Sequence, residues 1–325
     1  MRTPKAFIGL ALAAALAAAC TSAPAASPIA STTPVPSTAP TAAPSVATSA
    51  SAAPSAVVTP APTQNACAPE NLTLKTPGKL TLGSDNPAYD PYFLPSSPNP
   101  SPWEAGDPNN GQGFESAVAF AIAGKLGFSK DQVVWVAVPF NNAIQPGAKD
   151  FDLYFQEVSY SADRAQAVDL SDGYYDVAQA VVAVKSEKIA KVTTISGLKD
   201  FTFGAQVGTT SYDLIGKTIA PAKDAKVYDT NDAALKALGN GQIDGLVTDL
   251  PTAYYMANVQ LKNGAIVGQF PTQPGGEHFS AVLDKGSTLT SCVNQAIAAL
   301  KADGTLAQIT QTWLADKANA PVFQP

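Results

Sequence analysis

Residues 152–175 read DLYFQEVSYSADRAQAVDLSDGYY. A short apolar run ends in a polar turn, the turn carries one arginine, and the segment leaves through two tyrosines. Arg164 lies five residues after Ser159. A guanidinium presents a rigid fork of donors that matches a carboxylate bidentately, and Ser159 adds a hydroxyl and a backbone N–H beside it. This grouping suits the free carboxylate of an amino acid. Taken alone, an arginine in such a loop is more often a surface charge.

The flanking sequence has a repeating order. Lys79 to Asp85 reads as a strand ending at an acid. Phe114 to Leu126 reads as an amphipathic helix closed by Gly127. Gln132 to Val138 alternates as a strand, Asn141 to Lys149 reads as a short helix broken at Pro146-Gly147, and Asp152 to Phe155 is the next strand. A second set follows, with strands at Ala178–Lys185, Phe201–Gln206, Lys226–Tyr228 and Ile243–Thr248. Its helices fall at Tyr212–Ile219, Asp232–Asn240 and Leu250–Val259. Ile266 to Phe270 returns as a strand, and two helices, Thr290–Leu300 and Thr305–Lys317, end the chain. Each set has the β-α-β-α-β order of an open α/β sheet. Such sheets bind ligands at the carboxyl ends of their strands, and two facing lobes make a cleft that closes by hinge bending.

The motifs resemble those of the family 3 extracellular solute-binding proteins, the polar amino-acid-binding proteins of ABC transporters. Members carry a strand ending in Asp, an "s-x-T-x-x-R" turn and "FSDPYY". Here these read Asp152 to Phe155, Ser159 to Arg164, and Leu170-Ser171-Asp172-Gly173-Tyr174-Tyr175, with Ser161 and Gly173 as mild departures. The resemblance runs from about Leu80 to Leu314. It implies the type II periplasmic-binding-protein fold, two α/β lobes joined by two crossings near Asp176–Ala180 and Gly264–Gln269. Lobe 1 is expected over 70–178 and 268–325, and lobe 2 over 179–267.

The resemblance also assigns a ligand set. Arg164 takes the amino acid's carboxylate, helped by Ser159 and by Thr209 and Thr210, which match the family's "G-[ST]-[ST]" turn after Gly208. Asp249 ends the strand Ile243 to Thr248 and takes the ammonium; before Pro251 it also suits a helix N-cap. Tyr89 and Phe140 align with aromatics that sandwich the ligand side chain, with Tyr92 or Phe93 as alternatives to Tyr89. Asp85 stands where an acid meets that side chain, and Gln206 at a lobe 2 pocket position. Gln156 and Glu157 stand where many relatives have Ser, Gly or Ala. A glutamate there favours a basic or polar amino acid and disfavours an acidic one; the plain alternative is that Glu157 pairs with a nearby Lys or Arg. Trp103, in the Pro/Asn-rich insertion from Leu94 to Gly113, either covers the ligand or packs on its own lobe. His278 reads as structural.

The ends set the location. Residues 1–20 read as an export signal: Arg2 and Lys5, an apolar run from Ala6 to Leu16, and small residues before Cys20. A cysteine there is the lipidation site of a bacterial lipoprotein. Residues 21–69 are almost all Ala, Pro, Ser and Thr and form a disordered tether, with a reach on the order of 40 Å. With Cys20 lipidated, Cys67 and Cys292 form an even pair, which in an exported protein implies a disulfide. The net charge of −6 argues against nucleic acid. Neither a cofactor nor a metal is expected, since two cysteines and one histidine show no ligand spacing.

The expectation is therefore a monomeric, extracytoplasmic, membrane-anchored receptor. It hands a free amino acid to the permease subunits of an ABC importer. Two other classes compete. One is an enzyme resembling the cyclohexadienyl dehydratases, with Glu157 as the acid; the other is a sensory ligand-binding module.

Overall fold

The computed structural model describes residues 65–273, 275–317 and 319–325. The export signal, Cys20 and residues 21–64 of the tether lie outside the described residues. After a 3-10 turn at Pro69–Asn71, the chain enters β1 (Leu80–Ser84), α1 (Phe114–Lys125), β2 (Val133–Ala137), α2 (Phe140–Ile144) and β3 (Leu153–Tyr154). β1 lies between β2 and β3, parallel to both. It is buried along its whole length, as a strand with layers on both faces must be. α2 stops at Ile144 rather than reaching Lys149. Pro146 disfavours helix at the residue before it and cannot donate. The polar turn holds a single helical turn, α3 (Arg164–Ala167), before β4 (Asp169–Leu170) and β5 (Tyr175–Asp176).

The chain then crosses to a second sheet. Its elements are β6 (Gln179–Val184), β7 (Phe203–Gln206), α4 (Thr210–Leu214), β8 (Lys226–Tyr228), α5 (Asn231–Gly239), β9 (Gly245–Asp249), α6 (Leu250–Tyr255) and β10 (Gly264–Gln269). The strand order is β10-β6-β9-β7-β8. β7 pairs in parallel with β8 and β9, whereas β6 and β10 form an antiparallel edge. Both faces of this sheet are covered: Leu238, Leu246 and Leu250 pack on one, and Val181, Phe203 and Val247 on the other. α4 and α6 each continue as a wider π turn, at Ile215–Ile219 and Met256–Gln260.

On its return the chain adds β11 (His278–Phe279), paired with β5, and β12 (Val282–Leu283). β12 completes the first sheet in the order β2-β1-β3-β12-β4. α7 (Thr290–Ala302) and α8 (Thr305–Leu314) close the first lobe around Leu82, Phe93, Phe114, Phe155 and Val293. Cys67 is bonded to Cys292 on α7, with the two Cα atoms 5.4 Å apart.

Two boundaries differ from those expected. Gln269 still pairs in the second sheet and Phe270 packs in its core, so the chain returns to the first lobe only after Phe270. The last residues leave the first lobe again: Val322 bridges Gln269 and Gln324 bridges Thr194. Phe323, 2% exposed, packs against Phe270. Assigning all of 268–325 to lobe 1 is therefore corrected. The segment Pro321-Val322-Phe323-Gln324-Pro325 is too short and proline-rich to show a strand period, yet one buried aromatic is enough to dock it.

Candidate functional site

The carboxyl ends of the strands in the two sheets converge on one cavity of about 120 Å³. That is room for roughly ten waters, the scale of a small molecule. Loops leaving β1, β2 and β3 supply Asp85, Tyr89, Phe140, Gln156 and Glu157, and α3 supplies Arg164. From the second lobe come Gln206, Thr209, Thr210, Asp232, Asp249, Thr252, Tyr255, Met256 and Gln260.

Arg164 is 8% exposed. One terminal nitrogen donates to the Ser159 carbonyl, and the other donates to the Gly208 carbonyl of the second lobe at 2.8 Å. Its guanidinium lies over the Phe140 ring, 5.4 Å from the centroid. Two carbonyls and an aromatic face therefore fix the plane of the fork, and its remaining donors are free for a bidentate anion. Burial lowers the Arg164 pKa, opposed first by the charge of Asp249. Ser159 does not line the cavity. Its hydroxyl is buried without a partner among the described residues, and its carbonyl accepts from Arg164.

Asp249 closes β9, and its side chain caps no backbone N–H of α6. Gln179, the first residue of β6, holds it instead. The Gln179 amide donates to Asp249 Oδ1 and, at 3.0 Å, to Glu277 Oε1, while Ser211 donates to the Gln179 carbonyl. Thr210 also donates to Glu277. Burial pushes the Asp249 pKa well up, the charges of Glu277 and Glu157 push it further, and Arg164 opposes them. A ligand ammonium would supply the missing countercharge. Neither Gln179 nor Glu277 was found by sequence reasoning. A buried amide at the start of a strand was the only signal for the first.

The remaining expected residues divide by what already holds them. Asp85 accepts from Asn86 N–H at 2.8 Å and Phe140 N–H at 3.2 Å, so it fixes the start of α2 as well as lining the cavity. Gln156 accepts from the Ser84 hydroxyl at 2.6 Å, and Gln206 from Asn231 N–H at 3.0 Å. Thr209 is the N-cap of α4, accepting from Tyr212 N–H. Tyr89 reaches the cavity, whereas Tyr92 and Phe93 are buried in the first lobe. Trp103 is 5% exposed and packs in its own core, while His278 stacks on Tyr160.

Glu157 pairs with no cation. It accepts from the Thr252 hydroxyl across the cleft, and its own N–H donates to Glu115 Oε1 at 2.8 Å. Glu115 is fully buried on α1, accepts from the Tyr174 hydroxyl, and leaves Oε2 unpartnered. Burial, reinforced by Glu157, raises the Glu115 pKa to about 8; burial also raises that of Glu157, against the Thr252 and Tyr92 hydroxyls. Both carboxyls bind protons more tightly folded than unfolded, where their value is 4.5. Between 4.5 and about 8 folding therefore takes up protons, and stability rises as pH falls through that window. Thermal melts are expected to give a higher Tm at pH 5.5 than at pH 8.5. Glu115→Gln, which keeps the acceptor and mimics the protonated acid, is expected to flatten that slope.

Among the described residues no group of three or more His, Cys, Asp or Glu is placed to hold a metal ion. No described helix is long and apolar enough to cross a membrane.

The sequence profile of the bacterial extracellular solute-binding proteins, family 3, matches residues 96–316. The arginine-binding extracellular protein ArtP of Bacillus subtilis (strain 168) is 25% identical over 242 residues, covering 73% of this chain and 90% of that protein. An ancestral arginine-binding protein, solved bound to glutamine, superposes with a TM-score of 0.58 at 27% identity. That match covers 73% of this chain and 98% of the other. AncCDT-1, an ancestral amino acid-binding protein and precursor of cyclohexadienyl dehydratase, gives 0.56 at 26% identity, covering 73% and 95%.

Proposed function

The chain belongs to the bacterial extracellular solute-binding proteins, family 3, with the type II periplasmic-binding-protein fold, and on that premise we propose that it captures one free amino acid between its lobes. Arg164 clamps the carboxylate and Asp249 the ammonium. The loaded protein delivers the amino acid to the permease subunits of an ABC importer. It works outside the cytoplasm, held to the membrane through lipidated Cys20 and the 21–69 tether.

The ligand class follows from the charge of the cavity wall. Four acidic side chains line it, Asp85, Glu157, Asp232 and Asp249, against the single guanidinium of Arg164. Burial favours the protonated forms of Asp85, Glu157 and Asp249; a basic or hydrogen-bond-donating ligand side chain stabilises their ionised forms, and an acidic one opposes them. Calorimetric titration with the common amino acids tests the reading. Tightest binding is expected for a basic or polar amino acid, and tightest binding of glutamate would overturn it. A mass spectrum of what co-purifies with the protein gives the same answer independently.

One observation favours a second reading, a dehydratase on the same scaffold. Glu157 is a half-buried carboxyl in the cleft whose pKa is pushed up from 4.5, as a general acid requires. The clamp formed by Arg164 and Asp249 supports the receptor, because it holds an intact zwitterion. Incubation with prephenate or arogenate, followed by absorbance, separates the two. Product formation would establish the enzyme.

A further inference from the structure

The cavity wall also carries an acid, Asp232, that neither the family motifs nor the clamp account for. Asp232 stands in the first turn of α5, behind its N-cap Thr230. Its Oδ2 accepts from the Tyr89 hydroxyl at 2.6 Å, a hydrogen bond between lobes. Gln260 donates to Oδ1 at 3.5 Å. The Tyr255 ring lies 6.4 Å from that of Tyr89. In a regular helix Gln260 would point about 80° away from Thr252. The π turn over Met256–Gln260 takes up this drift, so Thr252, Met256 and Gln260 all line the cavity. Such turns occur often at functional sites.

The position of Tyr89 is fixed from its own side. In the 86–105 segment, Asn86 donates to the Pro102 carbonyl at 2.7 Å and accepts from Glu104 N–H at 2.8 Å. Ala88 N–H donates to the Glu104 carbonyl. The insertion around Trp103 thus acts as a brace for the tyrosine rather than as a cover for the ligand.

Asp232 therefore presents a carboxylate acceptor to the cavity, and among the described residues that line it Arg164 is the one Lys, Arg or His. A phenol satisfies a carboxylate's hydrogen bond but not its charge. We propose that Asp232 determines specificity in this cleft, accepting a cationic donor at the tip of the ligand side chain, while the Tyr89 hydroxyl holds the carboxylate across the closed cleft. The inference rests on the amino-acid reading above and narrows it to a side chain ending in an ammonium or guanidinium.

The test is calorimetry with L-arginine, L-lysine and L-glutamine on the wild-type protein, Asp232→Asn and Tyr89→Phe. Asparagine keeps an acceptor for Tyr89 and removes only the charge. Asp232→Asn is expected to weaken the better basic ligand by about 30-fold or more and glutamine by less than about 3-fold. Tyr89→Phe is expected to weaken all three by a similar, smaller factor. Equal losses for basic and neutral ligands in Asp232→Asn, or no loss, would reduce Asp232 to a closure contact and overturn the proposal. A wild-type preference for glutamine over both basic amino acids overturns it while leaving the receptor reading intact. If the wild-type protein binds no amino acid, the receptor reading fails and takes the proposal with it.

Discussion

Arg164→Ala is expected to weaken amino-acid binding by about 2–5 kcal/mol, roughly 30-fold to several thousand-fold. The side chain is 8% exposed; the Ser159 carbonyl and the Phe140 ring of its own lobe hold its fork, and the Gly208 carbonyl of the second lobe completes the hold. The hold from its own lobe does not have to be built on binding. Removing the guanidinium leaves a desolvated ligand carboxylate beside Asp249 and Glu157 with no compensating charge, and it is this unpaired anion that makes the loss large. Arg164→Lys is expected to recover only part, because an ammonium keeps the charge but not the planar pair of donors. Calorimetry measures both, with a thermal melt to show that the variants fold. Unchanged affinity in the alanine variant would remove Arg164 from the clamp.

The second large effect concerns stability. The disulfide joins Cys67 to Cys292 across a separation of 225 residues. In the chain-entropy account, opening so long a loop costs about 5 kcal/mol, at the upper end of what native disulfides contribute. Replacing both cysteines by serine is expected to lower stability by about 3–5 kcal/mol, which for a chain of this size is a Tm loss on the order of 10 °C. Calorimetric or circular-dichroism melts of the variant, or of the wild type with and without reductant, check this. Cys292 is in the core of the first lobe, and neither cysteine lines the cavity. Ligand affinity is therefore expected to stay within about 3-fold of the wild type. A stability loss under about 1 kcal/mol would mean that the unfolded chain already holds these segments together.

The two predictions draw on different amounts of sequence information. The cysteine pair was legible from number and context alone, and the arginine from a short motif. The support around each was not. Ser159 reads as a hydroxyl and an N–H beside Arg164, and the fold adds its carbonyl as an acceptor that orients the guanidinium. Asp249 reads as a ligand residue that also suits a helix cap, and the contact with Gln179 that holds its carboxylate at the cavity is visible only in the fold. Glu115 reads as an acid in the first turn of a helix, where the dipole favours it. Its full burial behind Glu157 depends on what α1 packs against.

The sequence by itself determined the two β-α-β-α-β sets, the positions of Asp85 and Asp249 at strand ends, and the placing of Arg164 after β3. These are local properties: periodicity, caps, breakers and short motifs act over a few residues. Only the tertiary structure decided the bond between Tyr89 and Asp232, the bond from Glu157 N–H to the Glu115 carboxylate, the Gln179 support, and the return of Phe323 to the second lobe. Each joins residues distant in the chain, several across two lobes. A pattern along one strand or helix tells which face is apolar, but not which other face it meets.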